Sequence, residues 1–133
     1  MRLVAEGASE ADIARLRAIV TELATKRGNA VGFATTAWNF HQALIDMSGN
    51  ATMSVVAETL HRISQEHSVR YMADVTDPEV QQTRAVRAFE RLIGIMEKRD
   101  GQAAEEFWSI HMAAVYGAMA KENTETLISG IFR

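Results

Sequence analysis

The chain has 133 residues, 47% apolar and 23% charged, which fits one globular domain able to bury a core without staples and excludes a disordered chain. Cysteine is absent, so there is no disulfide framework and no thiolate zinc site, and any metal would have to be held by histidine and carboxylate. Fourteen basic against seventeen acidic residues leave a formal charge of -3, and without clustered Lys and Arg the chain by itself is not expected to bind nucleic acid.

At the N-terminus, Arg2 and Glu6 flank Leu3-Val4-Ala5, which is no signal-peptide core, and no apolar run approaches the roughly 20 residues of a membrane span. A cytoplasmic location without a membrane partner is expected. Residues 1–8 read as a leader or as the end of a helix whose beginning is missing. Ser9-Glu10-Ala11-Asp12 has the form of a capping box opening a helix to about Lys26, with Ile13, Leu16, Ile19, Val20 and Leu23 at helical spacing. Arg27-Gly28-Asn29 breaks it. A second long helix runs from about Ala30 to Ser48, its inner face formed by Phe33, Ala37, Phe40, His41, Leu44 and Met47, with Trp38 beside them. Gly49 closes this helix as a C-terminal cap.

Asn50 or Thr52 starts the next helix. There Met53, Val56, Leu60, Ile63, His67 and Arg70 recur at alternating spacings of three and four, which predicts one inward stripe carrying both polar residues. Asp77-Pro78-Glu79 marks a further start, with an acid at the cap and proline in the first turn. Its inner face is Ala85, Phe89, Leu92, Ile93 and Met96. Lys98-Arg99-Asp100-Gly101 ends it, and Asp100 can cap the following helix, whose inner face is Ala104, Phe107, Trp108, His111, Ala114, Val115 and Ala118 up to about Lys121. Residues 123–133 form a tail, with a short helix around Thr126-Leu127-Ile128 weakened by Gly130. Short connections between these elements predict an all-α antiparallel bundle of five to six helices, a single domain with successive helices as neighbours.

Two imidazoles on apolar stripes, His41 and His111, need partners in the interior. A shared histidine-lined cavity between them is the expected binding site, with Trp38, His67, Arg70 and Phe89 as further lining residues. Each has a plainer reading. Trp38 and Trp108 can wall a pocket, but at helical spacing such aromatics are more often plain core. Arg70 either pairs with a carboxylate through its planar guanidinium or snorkels to solvent. Asn50 reads as a helix cap rather than a ligand contact. The methionines at 47, 53, 72, 96, 112 and 119 read as core filler. No Ser-His-Asp set or phosphate loop occurs.

The run Phe33-Ala34-Thr35-Thr36-Ala37-Trp38-Asn39-Phe40-His41-Gln42-Ala43-Leu44, followed by Ser48-Gly49-Asn50, resembles a helix and turn of the FCD domain. That domain is the all-helical effector-binding part of FadR-type regulators in the GntR family. Phe89-Glu90-Arg91-Leu92-Ile93, Lys98-Arg99-Asp100-Gly101-Gln102-Ala103-Ala104 and Ile110-His111-Met112 are similar to its last two core helices and the turn between them. The resemblance spans about Leu3 to Lys121 and lacks the family's winged-helix DNA-binding domain and its first effector-domain helix. It implies a homodimer that senses a small carboxylate-bearing metabolite, with DNA contacted only through the missing domain.

Many members of the family hold a divalent metal with one aspartate and three histidines. His41 and His111 match two of those positions, but the aspartate position is Ala37 and another histidine position is Phe89. Two imidazoles are an incomplete set, so no cofactor is expected, zinc or nickel being the ions the pattern would otherwise take. The chain is expected not to be an enzyme. The alternatives are a small metal-dependent enzyme using the same cavity and an interaction-only helical protein.

Overall fold

The computed structural model describes the backbone of residues 1–74 and 77–131 and the side chains of residues 1–63, 65, 77–115 and 117. Six helices follow in order: α1 (Arg2–Gly7), α2 (Glu10–Thr25), α3 (Ala30–Met47), α4 (Ala51–Asp74), α5 (Pro78–Glu97) and α6 (Gly101–Ile131). No strand occurs among the described residues. The fold is an all-α helical bundle.

Several boundaries follow from caps legible in the sequence. At Ser9 the hydroxyl accepts from the Asp12 N–H at 3.0 Å, while the Ser9 N–H donates to the Asp12 carboxylate at 2.8 Å, a complete capping box. Asn50 Oδ1 accepts from the Met53 N–H and Asp100 Oδ1 from the Ala103 N–H, both at 3.0 Å, which sets the starts of α4 and α6. Gly28 and Gly49 adopt φ of 87° and 71°, turns that a side chain would strain. Two ends differ from expectation. Asp77 precedes Pro78 without capping α5 through its side chain. α6 runs unbroken to Ile131 rather than stopping near Lys121, so Gly130 is taken into the helix.

The core joins Val4 and Ala5 of α1, Leu16, Val20 and Leu23 of α2, Phe33, Phe40 and Leu44 of α3, Val86, Phe89, Leu92, Ile93 and Met96 of α5 and Ala104 of α6. Among the described residues, Gln82 is the one long polar side chain buried with them, and its Oε1 accepts from the Gly28 N–H at 3.0 Å, tying α5 to the α2–α3 turn. Neighbourhood does not simply follow chain order. α2 lies along both α3 and α5, α1 packs on α6 as well as α5, and α4 lies along α3 while barely meeting α5. Arg17 with Glu97 and Arg15 with Asp46 pair across α2–α5 and α2–α3 at the surface.

Contrary to expectation, the described part of the α4 stripe faces outward. Met53, Val56, Leu60 and Ile63 are exposed by 49–74%, and no described α4 residue joins the core. The residues turned to α3 are instead Ser54, Ala57, His61 and Gln65, small or polar and partly buried. Sequence periodicity locates an apolar stripe on a helix but not the neighbour that covers it. On α6, likewise, Ala114 and Val115 are exposed rather than inward, while Ala118 falls outside the described side chains.

Candidate functional site

Three helices bring six rings together. Phe40 on α3 and Phe89 on α5 stack face to face at 4.1 Å, both almost wholly buried. His41 stands edge-on to Phe89 at 5.5 Å and tilted against Trp108 of α6 at 5.3 Å. His111 touches the same two rings from α6, Trp108 at 5.1 Å and Phe89 at 6.1 Å, and stacks on Phe107 at 6.2 Å. These separations are those of rings in direct contact. The two imidazoles, 70 positions apart in the sequence, thus share two ring neighbours.

The surroundings hold His41 neutral. Loss of hydration among the rings, and then the nearby His111, push its pKa down to about 4. Burial lowers His111 as well. A neutral imidazole offers one N–H donor and one nitrogen acceptor, so the pair can bind a polar guest by hydrogen bonds without supplying charge. A cation joins the end of this ring chain: the Arg91 guanidinium lies 4.9 Å over the Phe107 ring that stacks on His111.

Trp38 lies 6.3 Å from His41 and stacks nearly parallel at 4.4 Å on His61 of α4. The sequence reading missed His61 because it lies off the apolar stripe. The signal was its helical spacing with Ala57 and Ser54, the small residues on which α4 packs. Of the other residues expected to line a cavity, Trp38 and Phe89 pack against His41, whereas the side chains of Arg70 and His67 lie outside the described residues. An open cleft lined by Met1, Arg2, Leu3, Val4, Ser48 and Glu105 lies apart from these rings, with the Arg2–Glu105 ion pair at 2.9 Å on its rim.

The family FCD domain matches residues 1–114. The chain belongs to the FCD family. No curated protein and no solved structure matches it. FCD domains are effector-binding, regulatory parts of GntR-type transcriptional regulators, not a catalytic family, and the present domain has the expected all-helical form. No helix among the described residues is long and apolar enough to cross a membrane.

The metal pattern that the FCD resemblance brings does not fit these residues. Ala37 has no donor atom, Phe89 fills its place with a ring stacked on Phe40, and no group of three or more potential ligands gathers among the described residues. A helix-borne carboxylate one turn before His41, and a third imidazole from α5, are the missing donors.

Proposed function

We propose that this FCD domain is the sensing and pairing module of a GntR-type regulatory system, taking a small carboxylate-bearing metabolite at the rings around His41 and His111 without a metal. The observation that carries the reading is the convergence of these two imidazoles from α3 and α6 on Trp108 and Phe89, in a chain of an effector-binding family. Neutral imidazoles donate N–H groups to a carboxylate, Trp108 and Phe89 cover its apolar part, and Arg70 remains a proposed ion partner. The regulatory effect would come from unequal affinity of the effector for two arrangements of a homodimer, since equal affinity shifts nothing. The domain acts in the cytoplasm, performs no catalysis and reads DNA only through another domain or chain.

A panel of mono- and dicarboxylic acids in a thermal-shift experiment tests this. A ligand specific to the folded state raises Tm by mass action, by about 2.7 kcal/mol of stability at a hundredfold excess over Kd. The expected result is a rise with one structural class of acid, lost in His111→Ala. A flat response across the panel would favour the interaction-only reading, which the direct ring-to-ring contacts around His41 also support.

A further inference from the structure

Over its described side chains, α4 is mounted with its apolar side outward. Toward α3 it presents His61 stacked on Trp38, the Ser54 carbonyl accepting from Gln42 Nε2 at 3.4 Å, and Gln65 Nε2 donating to Thr35 Oγ1 at 3.5 Å. The stripe Met53, Val56, Leu60 and Ile63 lies about 120° around the helix from that face and stands in water. We infer that this stripe is the surface on which two copies of the chain pair, α4 antiparallel to α4 about a twofold axis level with residue 58.

The spacing argues for a second copy in that orientation. Steps of three, four and three residues read the same in both directions, so reversing the helix lays the stripe on its own image: Met53 beside Ile63 of the other copy, Val56 beside Leu60. A twofold interface must be self-complementary in this way, and three-four spacing is what two helices need to interlock side chains along a seam.

The charges agree. Glu58 and Arg62 lie toward the side of the helix away from the stripe, while Thr52, Ala57 and Thr59 flank it, so the twofold axis brings no like charges together at the centre. The Thr59 hydroxyl already donates to the Val55 carbonyl at 2.9 Å and is not orphaned by burial. The four side chains leave on the order of 300 Å² of apolar surface in water, enough for the centre of an interface that takes roughly 800 Å² from each partner. This deepens the pairing proposed above, and it is read out independently of any effector.

Sedimentation velocity across micromolar concentrations tests it. The wild-type chain is expected to be a dimer, and Leu60→Lys to weaken self-association on the order of 100-fold or more with its helical circular dichroism intact, since Leu60 is 54% exposed and outside the core. Ile110→Lys on α6, 71% exposed, is expected to leave the dimer unchanged. A wild-type monomer, a dimer insensitive to Leu60→Lys, or dissociation by Ile110→Lys alone would each overturn the assignment. Orientation is tested by cysteines, of which the natural chain has none. Met53→Cys and Ile63→Cys, mixed and oxidised, should give a disulfide species with the mass of one chain of each kind. Preferential self-linking of either variant alone would refute the antiparallel register. Failure here with a positive acid-induced Tm shift would remove the surface and leave the sensor; the converse would remove the sensor and leave the surface.

Discussion

His41 is held by rings rather than by a counter-charge, and this makes it a liability in acid. Its folded pKa of about 4 lies below the ordinary value of 6.5, so on acidification the unfolded chain takes up the proton first. The contribution to stability is complete above about pH 6.5 and is lost as pH falls from there through 4, at most about 3 kcal/mol at 1.36 kcal/mol per pKa unit. Burial gives His61 and His111 the same sign. The capping bonds from Ser9 keep the Asp12 carboxyl below its usual range, so its contribution persists to lower pH. Denaturant titrations at pH 7.5 and 4.5 should show a smaller loss of stability in His41→Phe than in the wild type. Equal losses would mean that the His41 pKa is not depressed by folding.

Between elements, α3, α5 and α6 meet through Phe40, Phe89, His41, Trp108 and His111, and α5 is also anchored to the α2–α3 turn through Gln82. The stripe 82, 86, 89, 93, 96 was open to inspection in the sequence, yet Gln82 is passed over when only apolar residues are counted, and Ala85, placed inward, is only partly buried beside Val86. The same three helices give the metal argument a test. Ala37→Asp with Phe89→His restores a carboxylate one turn before His41 and a third imidazole from α5. This double variant is expected to lose stability without metal, because Phe89 is 2% exposed and stacked, and to regain it with stoichiometric zinc or nickel, measured by metal analysis and Tm. The wild-type chain, purified without a histidine tag, is expected to show neither. Stoichiometric metal in the wild type would overturn the metal-free reading.

For the molecule as a whole, the described residues of α4 hold to the rest mainly through a polar and small-residue face on α3. If its outer stripe joins two chains, stability becomes a function of concentration: Tm should rise with protein concentration in the wild type and stay level in Leu60→Lys, as scanning calorimetry would record. A wild-type Tm independent of concentration in the range where the dimer dissociates would contradict the pairing. The linkage also suits a sensor. Trp38 touches His41 on one side and His61 of α4 on the other, so a guest that shifts the rings also bears on the helix that carries the stripe.

Local chemistry was enough to read much of this protein. Capping residues, turn glycines and 3.6-residue periodicity announce the helices, and the Phe40–His41 run and Ser48-Gly49-Asn50 turn point to the FCD family, because caps and periodicity depend on residues only a few positions apart. Which face of α4 turns inward, that α2 lies against α5, and that His41 and His111 share Trp108 and Phe89 were decided by tertiary packing. An exposed stripe and a buried one have the same period, and contacts between residues distant in the chain leave no mark on local spacing.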